Sequence, residues 1–281
     1  MSGFSADWLA LREPADHAAR NRRLLGLLEA RFVGREHLTV LDLACGAGSN
    51  LRGQALHLPA RQRWRLVDRD PKLLAAARVE LIAWADRVER QRPLTLLKAD
   101  RWLEIAFERS DLARFDAALF AQHLDLVTAA AFFDLVSAPW IDGFCAALAE
   151  RRLPLYAALS YDGGERWSPA HAADAAMLAA FCKHQSREKG FGPAAGPRAT
   201  ALLRDALERL GYAVETALSP WRLGPSERDL IRGLADGSAR AVAETALIPA
   251  AVIAAWRASR RNATGCEIGH VDLFAWSVGD L

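Results

Sequence analysis

The 281-residue chain is 52% hydrophobic, which suits one large core with a sizeable insertion and excludes a disordered or low-complexity protein. Lysine and arginine number 36 against 34 acidic residues, so no overall field draws the molecule to nucleic acid or to an anionic membrane. Cys45, Cys145, Cys182 and Cys266 lie far apart without a C-x-x-C pair, which argues against a zinc site or a redox couple.

The N-terminus lacks a basic segment followed by an apolar one, so no secretory signal is expected. The apolar segment Thr245 to Trp256 contains Pro249 and is too short to span a bilayer. A cytoplasmic enzyme is the default expectation. The arginine clusters Arg20, Arg22 and Arg23; Arg61, Arg63 and Arg65; and Arg257, Arg260 and Arg261 read as solvated faces.

Residues 6 to 32 carry apolar residues at helical spacing and predict N-terminal helices. After them, short β-rich runs alternate with helical segments: "LTVLDLA" (38–44), "WRLVD" (64–68), "LTLLKAD" (94–100), "LDLVTAA" (124–130), "LPLYAALSY" (153–161), "YAVETALS" (212–219) and "HVDLFAW" (270–276). Continuous apolar strands separated by helices predict an α/β protein, with a parallel sheet covered on both faces. The chain is expected to be a single domain over 1–281, with a helical cap over 1–34 and a core over 35–160. Segments 162–198 and 225–262 are candidate substrate lids, because long segments of this kind in a compact domain usually carry function.

In an open parallel sheet, ligands bind beyond the carboxyl ends of the strands. "VLDLACGAGSN" (40–50) meets that edge, and Gly46 and Gly48 let a ligand approach the backbone. A second acid, Asp68, ends the next strand 20 residues after Gly48, the interval at which a carboxylate reaches a ribose. Asp100 ends a third run and could accept from an adenine amino group, with Trp102 or Leu43 against the ring. A dinucleotide loop needs G-x-G-x-x-G, and here Leu51 stands where the third glycine belongs, so an NAD(P)-dependent oxidoreductase is disfavoured.

The pattern Asp42-x-Ala44-x-Gly46-x-Gly48 resembles the first motif of class I S-adenosylmethionine-dependent methyltransferases. "RLVDRDPKLL" resembles the second motif, with Asp68 as the ribose acid, and "LKADRW" the third, with Asp100 at adenine. "LDLVTAAAFFDLV" resembles the fourth strand and puts Thr128 and Ala129 near the transferred methyl group, although a register starting at Phe115 also fits. The resemblance covers roughly residues 35 to 160. It implies a Rossmann-like, doubly wound, seven-stranded, mostly parallel sheet with an antiparallel last strand, and S-adenosylmethionine as cofactor.

The implied cofactor contacts are Arg20, Asp42, Leu43, Ala44, Gly46, Gly48, Asn50, Asp68, Arg69, Asp100, Arg101, Trp102, Thr128 and Ala129. Ala44 replaces the usual glycine and is tolerable there if its φ stays negative. Arg20 meets the cofactor carboxylate if the N-terminal helix folds over the site.

Methyl transfer needs an in-line nucleophile near the methyl group, so proximity and orientation supply most of the acceleration. His184 is the candidate base should one be used. Phe133, Tyr161, Trp167, Lys189, Phe191, Trp221 and Arg222 are candidate pocket residues for a small aromatic or anionic acceptor. The expected partner is thus a small molecule, with no nucleic acid, membrane or metal, and the protein is expected to be a monomer or homodimer. An RNA methyltransferase using the arginine clusters, and a non-catalytic S-adenosylmethionine-binding module, remain as alternatives.

Overall fold

The computed structural model describes residues 4–113, 116–188 and 190–280. Two helices come first, α1 (Ala6–Ala19) and α2 (Arg22–Phe32). Each begins on a side-chain cap: the Ser5 hydroxyl accepts from Trp8 N, and the Asn21 amide oxygen accepts from Arg23 N and Leu24 N. Then follow β1 (His37–Leu43), α3 (Ser49–Gln54), β2 (Arg61–Asp68) and α4 (Pro71–Trp84), the last started by Asp70 as cap and Pro71 in the first turn. A hairpin, β3 (Arg87–Gln91) and β4 (Leu94–Lys98), precedes β5 (Arg101–Arg109).

The second half contains β6 (Leu126–Ala130), α5 (Ala138–Glu150), β7 (Leu155–Ser168), α6 (Asp174–Gln185), α7 (Ala199–Arg209), β8 (Tyr212–Leu218) and β9 (Trp221–Leu223). It closes with α8 (Arg228–Ala243), α9 (Ala250–Arg260) and β10 (Gly265–Ser277).

Among the described residues, the strands form one sheet in the order β3-β4-β5-β2-β1-β6-β7-β10-β8, with β9 added to β10. Strands β5, β2, β1, β6 and β7 run parallel, and β10 runs antiparallel to both β7 and β8. The sheet is therefore mostly parallel, with its last strand reversed. Leucines and valines of the central strands are almost wholly buried because helices cover both faces. One core gathers Leu41, Val127 and Leu155 with α5 and α7; the other gathers Val40, Trp64 and Leu66 with α2 and α4.

The third parallel strand differs from the sequence reading. It is Arg101–Arg109 rather than 94–100, and "LTLLK" is an antiparallel strand hydrogen-bonded to it. The reversal is made by the two-residue turn Ala99-Asp100, both at positive φ (43° and 64°), with Lys98 paired to Arg101. Such turns usually announce themselves with Asn-Gly or Asp-Gly, and neither is present. The Asp86 carboxylate holds the turn by accepting from Ala99 N at 2.8 Å and Lys98 Nζ at 2.7 Å.

The fourth strand follows the register containing Thr128 and Ala129, which pair with Asp42 and Leu43. Phe115, the start of the other register, lies outside the described residues. Segment 162–198 is less a loop than an extension: β7 continues to Ser168 beside the start of β10, and α6 follows. Segment 225–262 forms α8 and α9. These additions build a third apolar cluster around Tyr161, Trp167, Trp221, Met177, Ile231 and Trp256.

Candidate functional site

The turn after β1 is made by alternate left-handed residues, Ala44 (φ 51°), Gly46 (54°) and Gly48 (78°). Ala44 thus does not keep the negative φ that would make it a harmless replacement; an L-residue in this conformation costs about 1–2 kcal/mol. Strain of this kind persists where the surroundings over-determine it. Cys45 N donates to Val67 O at 3.0 Å and Gly48 N to Cys45 O at 2.9 Å, fixing the turn to β2 and to itself. A Cβ on Gly48 would stand 3.3 Å from Leu81 Cδ1 and 3.4 Å from Ala77 Cβ, so this glycine also lets α3 approach α4.

Asp68, at the end of β2, reaches across to the same turn. Its Oδ2 accepts from Gly46 N and its Oδ1 from Asp70 N, both at 2.9 Å. A carboxylate offers about four lone-pair sites, so two remain for a ligand's hydroxyl groups.

Asp42 is fully buried one residue before the end of β1. Asn50 Nδ2 donates to Asp42 Oδ1 at 2.6 Å and to Thr128 Oγ1 at 3.1 Å. Gln54, one turn later on α3, donates to Asn50 Oδ1 at 2.7 Å and Thr128 Oγ1 at 2.8 Å, and Thr128 Oγ1 donates to Tyr156 O. Arg20 comes in from the end of α1 and donates Nη2 to Asn50 Oδ1 at 2.8 Å. Three groups of this network remain unmatched. Among the described residues, Asp42 Oδ2, Gln54 Oε1, and Nε and Nη1 of Arg20 are buried without a hydrogen-bond partner, with the Arg20 guanidinium beside the Tyr156 hydroxyl. Burial pushes the Asp42 carboxyl up to about 7, with the Asp68 charge adding to it and Asn50 and Arg20 opposing it.

Helix α1 closes the site from above. A Cβ on Gly46 would stand 3.0 Å from Leu9 Cδ1, and one on Gly53 only 2.6 Å from Arg20 Nε, so the Arg20 guanidinium lies directly on the α3 backbone. Glu13 pairs with Arg52, whose Nη1 donates to Ala47 O at 3.0 Å, and His17 Nε2 sits 3.0 Å from Ser49 O. Behind Arg20, Asn21 N donates to the fully buried Asp272 at 2.9 Å. Asp272 also accepts from Leu159 N at 2.8 Å and Ser219 Oγ at 2.7 Å, tying α1 and α2 to β7 and β10.

The structure therefore brings Arg20, Asp42, Leu43, Ala44, Gly46, Gly48, Asn50, Asp68, Thr128 and Ala129 to one edge, with Arg69 following Asp68. Asp100, Arg101 and Trp102 are not there. Trp102 pairs with Arg61 at the start of β2, while Asp68 ends that strand seven residues on, about 23 Å away at 3.3 Å per residue. Trp102 instead lines a cavity of about 300 Å³ at the amino-terminal edge, with His37, Thr39, Arg61, Arg63 and Glu104. At the carboxyl edge, β5 is followed by Ser110, whose N donates to Asp68 O at 3.1 Å.

Among the pocket candidates, Tyr161, Trp167 and Trp221 share the cluster beneath α1, α6 and α8. Phe133 and Phe191 belong to the other core, where Phe191 packs on Phe132 and Trp140 at 5.8 and 6.1 Å. Lys189 lies outside the described residues. Arg222 is spent on Glu267 at 3.3 Å. His184 stands on α6 with Nε2 2.9 Å from Glu244 at the end of α8, an ion-pair position between two added helices rather than one beside Asp42. Gln54, Tyr156 and Asp272 were missed from sequence; only Gln54 left a signal, its spacing of four from Asn50 on one helix face.

No family model matches the sequence, and no curated protein matches it either. Solved structures match over nearly the whole chain. A cyclopropane-fatty-acyl-phospholipid synthase-like protein from Lactobacillus casei is 15% identical with a TM-score of 0.55, covering 98% of this chain and 96% of its own. The cyclopropane synthase MmaA2 from Mycobacterium tuberculosis is 12% identical with a TM-score of 0.50, covering 96% and 94%. The mycolic acid cyclopropane synthase CmaA1, solved with S-adenosylhomocysteine and CTAB, gives 12% and 0.50 over 97% and 93%.

The chain has the class I methyltransferase fold. At these identities the likeness is one of fold. The class I fold accounts for the reversed β10. Among the described residues, no helix is long and apolar enough to cross a membrane.

Proposed function

We propose that the protein is an S-adenosylmethionine-dependent methyltransferase acting on a small-molecule acceptor. The observation that carries this reading is the set of unmatched groups at the edge of β1. Two uncommitted N–H donors of a buried guanidinium and one bare carboxylate oxygen are what the carboxylate and ammonium of an amino-acid end require. Arg20 is assigned the carboxylate and Asp42 the ammonium. The two remaining lone-pair sites of Asp68 suit ribose hydroxyls, and Gly46, without a Cβ, lets Leu9 of α1 close down on the loop.

When bound, the cofactor supplies an electrophilic methyl group on a sulfonium. The protein's part is to orient, to exclude water and to hold charge. Helix α1 covers the site, and Thr128 fixes Asn50 and Gln54. Cover by helices and a net charge of +2 favour a small acceptor over a polymer. The RNA reading loses support because most of its arginines have acidic or site partners: Arg20 lies in the site, Arg63 and Arg65 pair with Glu104 and Glu108, and Arg257 and Arg261 pair with Asp236. All four cysteines are unpaired, which suits a reducing compartment such as the cytoplasm.

Thermal unfolding with S-adenosylmethionine, S-adenosylhomocysteine, NAD and NADP tests the reading. A ligand at about 100 times its Kd adds about 2.7 kcal/mol, or roughly 5 °C or more in Tm for a chain of this size. Both sulfur ligands are expected to give that shift. A shift with NAD and none with either sulfur ligand would overturn the proposal.

A further inference from the structure

The Arg20 guanidinium is buried, yet among the described residues its hydrogen-bonded partner is the neutral Asn50 amide rather than a carboxylate. A charge taken out of water is costly unless polar groups or an opposite charge hold it. The Tyr156 hydroxyl lies beside this guanidinium and stands 3.5 Å from Asp272 Oδ2, so one hydroxyl group links a buried cation to a buried anion. Tyr156 and Asp272 are both fully buried. A carboxylate bonded directly to Arg20 would occupy the donors that a ligand needs; a hydroxyl leaves them free.

The sheet aims both side chains at this place. Tyr156 pairs with Thr128 across β6 and β7, and its carbonyl accepts from Thr128 Oγ1 at 2.8 Å, which ties it to the Asn50–Gln54 network on the other side of Arg20. Its ring packs on Phe274 with centroids 6.3 Å apart. Asp272 sits where the β7–β10 register shifts, between Val271 and Leu273, and Leu159 there stands at φ 57°. Irregularities of this kind re-aim a side chain, and a left-handed leucine persists where its surroundings over-determine it. The Asp272 carboxylate does so: Oδ1 accepts from Leu159 N at 2.8 Å and Ser219 Oγ at 2.7 Å, while Oδ2 accepts from Asn21 N at 2.9 Å and faces Tyr156. Burial, and then the Asp272 charge, push the Tyr156 hydroxyl well up, so it keeps its proton. With that hydrogen drawn to Asp272, the lone pairs of the oxygen are left for the guanidinium.

We propose that Tyr156 is a positioning residue of the cofactor's carboxylate subsite: its hydroxyl, oriented by Asp272, holds the Arg20 guanidinium in the cradle, and the preference for a ligand carrying an amino-acid end depends on it. This rests on the methyltransferase reading, in which Arg20 receives the carboxylate. Asp272 also holds Asn21, the residue after Arg20, so the same carboxylate fixes the guanidinium through Tyr156 and the chain at the end of α1 directly. A guanidinium held from both sides loses little freedom when a carboxylate arrives, which is the advantage of a preorganised site.

The test compares S-adenosylhomocysteine with 5′-methylthioadenosine, which keeps the adenosine and the sulfur but has no amino-acid end, by calorimetric titration. The wild type is expected to bind S-adenosylhomocysteine at least about tenfold more tightly. Tyr156→Phe, which deletes one oxygen, should weaken S-adenosylhomocysteine about fivefold to tenfold and 5′-methylthioadenosine by less than about twofold. In an Arg20→Met background the same substitution should change the S-adenosylhomocysteine Kd by less than about twofold, because Tyr156 acts through Arg20. A residue that merely packs the core would weaken both ligands alike, in either background. A second measurement leaves Tyr156 in place. The chain contains 3 tyrosines, so labelling with fluorotyrosine gives three fluorine resonances, assigned through Tyr161→Phe and Tyr212→Phe. S-adenosylhomocysteine should move the Tyr156 resonance further than 5′-methylthioadenosine does. Undiminished S-adenosylhomocysteine binding in folded Tyr156→Phe, equal weakening of both ligands, an effect that persists in Arg20→Met, or a Tyr156 resonance that answers both ligands alike would overturn the positioning role. Failure of the wild type to bind either ligand would overturn the methyltransferase reading itself, whereas normal wild-type binding with an indifferent Tyr156→Phe overturns the positioning role alone.

Discussion

The buried Asp42 carboxyl makes stability depend on pH in a direction that can be measured. In the folded protein its pKa is about 7, against 3.8 for the free group. The unfolded chain therefore releases this proton first as pH rises. The contribution is fully present below about pH 4 and is lost as pH climbs to about 7. A difference of about 3 pKa units at 1.36 kcal/mol each amounts to about 4 kcal/mol. Asp42→Asn keeps the size and the acceptor for Asn50 but cannot ionise. Urea unfolding of both proteins between about pH 4 and pH 8 isolates the effect, because the other groups cancel in the difference. The stability of wild type minus variant should fall by about 1.4 kcal/mol per pH unit across most of that window and level off above about pH 7. Saturating S-adenosylhomocysteine should shrink the slope, since an ammonium beside Asp42 favours its charged form. A difference that is flat, or that rises with pH, would refute the assignment of a neutral Asp42 in the ligand-free fold.

Other substitutions follow from the same geometry. Ala44→Gly relieves about 1–2 kcal/mol of left-handed strain and gives back about 0.5–1 kcal/mol through the freer unfolded chain, so a net gain of about 0.5 kcal/mol is expected in urea unfolding. Asp100→Ala, at the opposite edge of the sheet, should leave the S-adenosylhomocysteine Kd within about twofold by calorimetry.

The mostly parallel sheet was legible because the runs 38–44, 124–130 and 153–161 are apolar stretches of the kind that a doubly covered sheet tolerates. That Asp42, Gly46, Gly48 and Asp68 meet at one edge was legible for a different reason: they sit at strand ends, where chain position and spatial position coincide. The third strand misled because "LTLLK" is the more apolar partner of a hairpin, and β5, "RWLEIAFER", alternates like a half-exposed strand. That placed Asp100 at a carboxyl edge when it is a turn residue at the amino edge. Contacts made by side chains far apart in sequence left no local trace. Asp272 meets Asn21 across 251 residues, and Asp16 and Trp221 meet only because α1 folds over β9. His184 drew notice as a histidine in an irregular segment, yet α6 turns it toward Glu244, while Tyr156 inside an apolar strand gave no such cue.

The central claim is that the unmatched groups of Arg20 and Asp42 receive the amino-acid end of S-adenosylmethionine. Calorimetric titration of the wild type and of Arg20→Met with S-adenosylhomocysteine tests it most directly. The account predicts one site per chain in the wild type and a loss of about 1.5–3 kcal/mol in the variant, roughly 10- to 150-fold in Kd. Wild-type binding that is undiminished in a folded Arg20→Met protein, or no binding to the wild type at all, would contradict it.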